Sequence, residues 1–216
     1  MLLCVSSFFI TQRVTEVSQR ATEFLILLNS IMIIPNLLLI AGTGTKSGKT
    51  TMACRIIEQF GSLDVTAIKI TPHFHETTPG LKIIAEEPGY SIYEETNSAS
   101  TKDTSRMLHS GAVKVFFAKV LDDSIKSVFD RIMDLVPEGT PIICESPALR
   151  NFIEPGLFII MTSETIVKHK NISHFKDLSH VMFKLEDLPG ISSIPIGFED
   201  GKWVFRPPKG GFVHGI

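Results

Sequence analysis

The chain of 216 residues is 44% hydrophobic and 20% charged, close to an ordinary globular domain at about 45–50% apolar and about 25% charged. Lys and Arg number 21 against 23 Asp and Glu, a net charge of −2 without a basic run, which speaks against nucleic acid as a partner. Cys4, Cys54 and Cys144 are an odd count without C-x-x-C spacing, so neither a disulfide framework nor a zinc knuckle is expected, and a reducing cytoplasm fits.

The stretch Phe24 to Ile40 is apolar enough to be weighed as a membrane span, since about 20 such residues cross a bilayer. Asn29, Ser30, Pro35 and Asn36 interrupt it, and no Lys or Arg precedes Arg13 as a secretory signal would need. A membrane anchor is therefore the least favoured account. Two others stay open: residues 1–31 are an over-extended start with the natural beginning at Met32, or they form an N-terminal helix. Residues 32–216 are read as one domain.

From Pro35 onward short apolar runs alternate with helical periodicity, the rhythm of an α/β fold with a mainly parallel sheet. Leu37 to Ala41 is expected as a strand buried on both faces. Gly48 to Phe60 is expected as a helix, because Met52, Ala53, Ile56, Ile57 and Phe60 fall on one face. Val65 to Thr71 and Val113 to Val120 are further strands. Leu121 to Val136 repeats the helical spacing, with Asp122 and Asp123 in its first turn. Pro141 to Glu145, Gly156 to Met161 and, more weakly, Val181 to Leu185 read as strands. Ile196 to Phe205 reads as a hairpin closed at Asp200-Gly201, followed by a loose tail from Pro207. Residues 72–101 break the rhythm and are too long for a bare loop. They are expected to hold a projecting hairpin with its turn at Glu87-Pro88-Gly89-Tyr90, serving as surface decoration or as a lid or partner-binding element.

Gly42-Thr43-Gly44-Thr45-Lys46-Ser47-Gly48-Lys49-Thr50-Thr51 is the most informative segment. Glycines let backbone N–H groups curl around a polyphosphate, and the following helix contributes its positive end. In this pattern Lys49 reaches the β and γ phosphates and the Thr50 hydroxyl ligates Mg²⁺. The first glycine of G-x-x-x-x-G-K-[ST] falls at Thr43, between Gly42 and Gly44. Its position between a buried strand and an amphipathic helix is the context such a loop requires. ATP or GTP is thus the expected ligand. No clear N-K-x-D follows, and Lys168 to Asn171 gives only a vague base-reading signal, with ATP slightly preferred.

Glu145 ends a strand at the edge where ligands of α/β sheets bind, so it is a candidate Mg²⁺ carboxylate, or else simply solvated. Lys69 leads towards His73 and His75, cationic or titratable groups able to stabilise transferred phosphate or orient an anion, although loop histidines are commonly solvated. A metal site from His73, His75 and Glu76 lacks a further ligand. Lys102-Asp103-Thr104-Ser105-Arg106 reads as a helix start with Asp103 or Thr104 as cap, or with Asp103 or Arg106 on the phosphate side. Cys54, Cys144 and Trp203 are expected in the core.

In these blocks the chain resembles the MobB-like branch of P-loop NTPases, the molybdopterin-guanine dinucleotide biosynthesis protein B group. The blocks are Leu38 to Thr51, Ile68-Lys69 with His73, Lys102 to Arg106 followed by Gly111-Ala112, Glu145, and Pro155 to Ile160. Ser146-Pro147 follow Glu145 where that family has glycine. The loop is also similar to that of dethiobiotin synthetases, with Lys46 where an acidic residue usually stands there. Both resemblances imply a three-layer α/β/α P-loop NTPase fold with a mainly parallel sheet, Mg²⁺ and a homodimer. The expected activity is that of an NTPase or accessory factor in cofactor assembly, with Lys49, Lys69, His73 and Glu145 as catalytic candidates. The alternatives are an ATP-dependent synthetase or small-molecule kinase acting on a small acid or alcohol held by Lys69, and a membrane-anchored or structural protein.

Overall fold

The run Leu37 to Ala41 has no exposed side chain, and it lies inside strand β1 (Met32–Gly42) near the middle of an eight-stranded sheet. A strand covered on both faces has no reason to alternate polar and apolar residues. In the computed structural model, residues 31–72, 79–166, 173–176 and 178–207 are described. The chain divides between Met32 and Ile33 into two units, and all that follows concerns the second, a compact one, with strand β1 starting at the boundary.

The remaining strands of the sheet are β2 (Thr66–Thr71), β3 (Leu81–Glu87), β4 (Tyr90–Glu95), β5 (Lys114–Val120), β6 (Ile142–Glu145), β7 (Ile153–Thr162) and β8 (Val181–Lys184). Their order is β3-β4-β5-β2-β6-β1-β7-β8. The run β5-β2-β6-β1 is parallel, as is β7 with β8, whereas β3-β4-β5 is antiparallel. A separate antiparallel hairpin, β9 (Ile196–Glu199) and β10 (Lys202–Phe205), follows. The described helices are α1 (Lys49–Gln59), α2 (Asp103–His109), α3 (Ile125–Met133) and the short α4 (Ser173–Lys176).

Because side chains alternate across a strand, Leu38, Ile40, Ala67, Val115, Ile143, Ile159 and Met161 share one face. They pack with Met52, Ala53, Ile56 and Ile57 of α1, Met107 of α2 and Trp203 of β10. Trp203 sets the hairpin on this core. Its indole meets Phe60 and Phe198 edge-on at 5.0 and 5.1 Å, and its N–H donates to the Ile142 carbonyl at 3.1 Å. The polar side of α1 is equally occupied. Arg55 donates to the Leu188 and Ile191 carbonyls, and Gln59 exchanges two hydrogen bonds with Ile194, at 3.0 and 2.7 Å. The segment leading from β8 to the hairpin is thereby tied along the helix.

Two sequence expectations change. The hairpin within residues 72–101 does not project: β4 pairs with β5 from Tyr90↔Val120 to Glu94↔Phe116, so the hairpin widens the sheet. Ile92 and Tyr93 are the reason, since both are buried only when the strand lies in the sheet. The helix expected over Leu121 to Val136 is shorter. Leu121 gives its N–H to the Gly89 carbonyl, Asp122–Ser124 forms a 3-10 turn, and α3 begins only at Ile125. Leu121 and Leu135 are consequently 55% and 40% exposed rather than on the buried face. Asp122 and Asp123 lie ahead of the helix, not in its first turn. The apolar run weighed as a span becomes strand from Met32, and no described helix is long and apolar enough to cross a membrane. Phe24 to Ser30 and the tail beyond Pro207 lie outside the described residues.

Candidate functional site

The loop between β1 and α1 is anchored at its entry by the Thr43 N–H, which donates to the Met161 carbonyl at 2.9 Å, and by the Thr43 hydroxyl, which reaches Thr162 Oγ1 at 3.2 Å. Two residues then take left-handed backbone conformations, Lys46 with φ 64° and Gly48 with φ 89°. Such reversals turn consecutive N–H groups towards one concavity, the arrangement that holds anions. Gly42 allows the loop to fold this tightly: a Cβ there would stand 2.1 Å from Ser47 Oγ and 3.0 Å from Lys49 Cγ. Gly48 needs glycine for its φ, and a Cβ would also meet Leu185 Cδ1 at 2.8 Å.

Helix α1 leaves this loop without a side-chain cap and without an acidic residue in its first turn. Its positive end therefore faces the loop unneutralised by its own side chains. Lys49 folds back so that its ammonium donates to the Gly44 carbonyl at 3.2 Å and to Ser47 Oγ at 3.4 Å. The ammonium thus spans the loop's interior edge. Thr45 and Lys46 are exposed at the rim, and Thr51 sits half-buried on α1.

In the first turn of α1, the Thr50 hydroxyl donates to Glu145 Oε2 at 2.8 Å. Glu145 is the last residue of β6, in register with Ile40 on one side and Lys69 on the other. The parallel order β2-β6-β1 places all three strand ends beside the loop, at the carboxyl edge where α/β sheets take ligands. Lys69 then closes a chain of charges. Its ammonium donates to Glu145 Oε1 at 3.1 Å and to the Asp103 carboxylate, and Arg106 Nη1 stands 3.9 Å from Asp103 Oδ1. The side chains of Lys69 and Glu145 are 17% and 7% exposed, that of Asp103 42%.

Burial alone would lower the Lys69 pKa, but the Glu145 and Asp103 carboxylates outweigh it and hold the ammonium above its ordinary value. Asp103 is the mirror case. Burial would raise it, yet the Lys69 ammonium, through its charge and its hydrogen bond, keeps the carboxyl below its ordinary value, with Arg106 adding to the effect. Both groups therefore remain charged at neutral pH. Elsewhere burial pushes the Cys54 and Cys144 thiols up, as befits core residues.

Lys49, Thr50, Lys69 and Glu145 are thus brought to one mouth, with the backbone from Gly42 to Thr51 forming its wall. His73, His75, Glu76 and the stretch Lys168 to Asn171 lie outside the described residues. Among the described residues no group of three or more His, Cys, Asp or Glu side chains is placed to hold a metal ion. The capping role expected of Asp103 or Thr104 is corrected. Lys102 occupies the cap position and no side chain caps α2. The Asp103 carboxylate turns to Lys69, and the Thr104 hydroxyl donates to Glu95 Oε2 at 2.7 Å. Each group meets a charged partner instead, Asp103 the half-buried Lys69 ammonium and Thr104 the buried Glu95 carboxylate, and hydrogen bonds to charged groups are the stronger ones. Ser47, expected in the loop, fills the space that Gly42 leaves, whereas Leu185, which packs on Gly48, emerges only in three dimensions and carries no signal in the sequence. Comparisons of the chain with protein-family models, with curated proteins and with solved structures gave no match.

Proposed function

We propose that this chain binds a nucleoside triphosphate with Mg²⁺ on the loop from Gly42 to Thr51, and that its fold is the three-layer P-loop NTPase fold. The observation that carries the reading is the Thr50–Glu145 hydrogen bond beside a loop crossed by the Lys49 ammonium. It joins a hydroxyl, a carboxylate and a cation at the positive end of one helix. Curled amides and that helix end favour a multiply charged anion. Lys49, exchanging the Gly44 carbonyl for phosphate oxygens, adds a mobile positive charge.

Thr50, Glu145 and Asp103 offer only oxygen atoms, the donor set that Mg²⁺ prefers. Bound there, the ion would neutralise charge on the phosphates, which together with positioning is most of what phosphoryl transfer requires. Lys69 bridges the two carboxylates and holds that of Asp103 below its ordinary value. The resemblance to the MobB-like group extends the reading to a cytoplasmic, dimeric NTPase or accessory factor in molybdopterin-type cofactor assembly.

Calorimetric titration with ATP and with GTP, each with Mg²⁺, tests the core of this reading. One of the two binds the wild-type protein, and Lys49→Ala weakens it at least tenfold, about 1.4 kcal/mol. Unchanged affinity in Lys49→Ala, or binding of neither nucleotide by the wild type, overturns it.

A further inference from the structure

The oxygen atoms that would hold a divalent cation already hold one of the protein's own. Glu145 Oε1 accepts from the Lys69 ammonium at 3.1 Å, Glu145 Oε2 accepts from Thr50 at 2.8 Å, and the Asp103 carboxylate closes on the same ammonium. Glu145 has no unused oxygen, and its side chain is only 7% exposed. Lys69 is held from two directions, by the end of β6 and by the first turn of α2. Its own strand also fixes it, through pairing with Glu145 on one side and Phe117 on the other.

We propose that Lys69 is an internal stand-in for the metal: its ammonium occupies the space between Glu145 and Asp103, and keeps divalent cations out until a polyphosphate arrives. The inference rests on the reading of the loop as a nucleotide site and goes beyond it to the order of filling. A divalent cation and an ammonium repel each other across so short a gap, so one must leave for the other to enter. Without phosphate, leaving means that Lys69 gives up two carboxylates for solvent while remaining partly buried, which is unfavourable. With the phosphates in place, their negative charge gives the displaced ammonium a new partner. Metal and nucleotide therefore enter as a pair, and the metal alone binds poorly.

Binding of Mn²⁺ in the absence of nucleotide, followed by loss of the free-ion electron paramagnetic resonance signal, reads this directly. Lys69→Met, which keeps most of the unbranched side chain and removes the charge, takes up Mn²⁺ at least tenfold more tightly than the wild type. The further change Asp103→Asn reverses the gain. Lys82→Met, which dissolves the exposed pair with Glu94, leaves Mn²⁺ binding at the wild-type level. Lys69→Gln serves as a second variant if the methionine protein does not fold. A purely structural role for Lys69 would lower the melting temperature without tightening Mn²⁺, and folded Lys69 variants that bind Mn²⁺ no better than the wild type overturn the proposal. No nucleotide is present in these measurements, so this result stands apart from the Lys49→Ala titration that tests the nucleotide reading.

Discussion

The Thr50 hydroxyl and Glu145 Oε2 meet at 2.8 Å across 95 positions of sequence, both buried, one on the first turn of α1 and the other at the end of β6. This single bond fixes the helix carrying the loop's lysine to the strand carrying its carboxylate. A hydrogen bond to a charged partner contributes about 1.5–3 kcal/mol, so Thr50→Ala is expected to lower stability by that amount in urea unfolding. Thr50→Ser, which keeps the hydroxyl, loses less than half as much. Both proteins fold, and only the alanine variant loses the Mg²⁺ dependence of nucleotide binding.

Gly42 and Ser47 make a second close approach. A methyl group at Gly42 would overlap the Ser47 hydroxyl, and overpacking of this kind costs about 1–3 kcal/mol. Gly42→Ala is therefore destabilised and binds nucleotide weakly. Adding Ser47→Gly vacates the contested space and restores part of the lost stability, though the contact with Lys49 Cγ at 3.0 Å remains. Thermal unfolding of the single and double variants measures the recovery.

The Lys69–Asp103 pair sets a pH window. The folded protein holds Asp103 below its ordinary 3.8, so it binds that proton less readily than the unfolded chain. The contribution is complete above 3.8 and vanishes as the pH falls through the lower folded value. Lys69 is held above its ordinary 10.5; its share is complete below 10.5 and is lost as the pH rises through the folded value. In denaturant unfolding, wild type and Asp103→Asn should differ by a constant amount from about pH 5 to about pH 9 and converge in acid. A difference that persists undiminished well below the ordinary value contradicts the pairing.

Trp203 is the chain's single tryptophan, and it is buried with its N–H on the Ile142 carbonyl. Its emission should be blue-shifted in the native state and move to the red on unfolding. Trp203→Phe leaves that carbonyl without the indole donor and opens space beside Phe60 and Phe198, a loss of about 1–3 kcal/mol by urea unfolding.

The parallel centre of the fold was legible because its strands are unbroken apolar runs and α1 has a clean periodic face. The hairpin at β9 and β10 was legible because Asp200-Gly201 supplies the turn, with φ 49° and 73°. The place of β3 and β4 was not, since a hairpin's own sequence does not say which strand it pairs with. That information resides in the fit of Ile92 and Tyr93 against β5. Around the loop, Lys49, Thr50 and Glu145 could be named from type and position. Asp103 was harder, because an acidic residue at a helix start has two uses, and only the partly buried Lys69 ammonium nearby decides between them. Leu185 had no legible role, as its contact with Gly48 depends on the path taken after β8.

That path has a mechanical consequence. Leu185 touches the front of α1 at Gly48, while Ile194 is bonded to its rear at Gln59, with Arg55 clasping the chain between them. The helix is thus harnessed along its whole length by the same ten-residue strap, about 15 Å of helix at 1.5 Å per residue. Just past its trailing turn Phe60 abuts the Trp203 indole, so the far pole of the helix is pinned to the terminal hairpin as its near pole is to the strap.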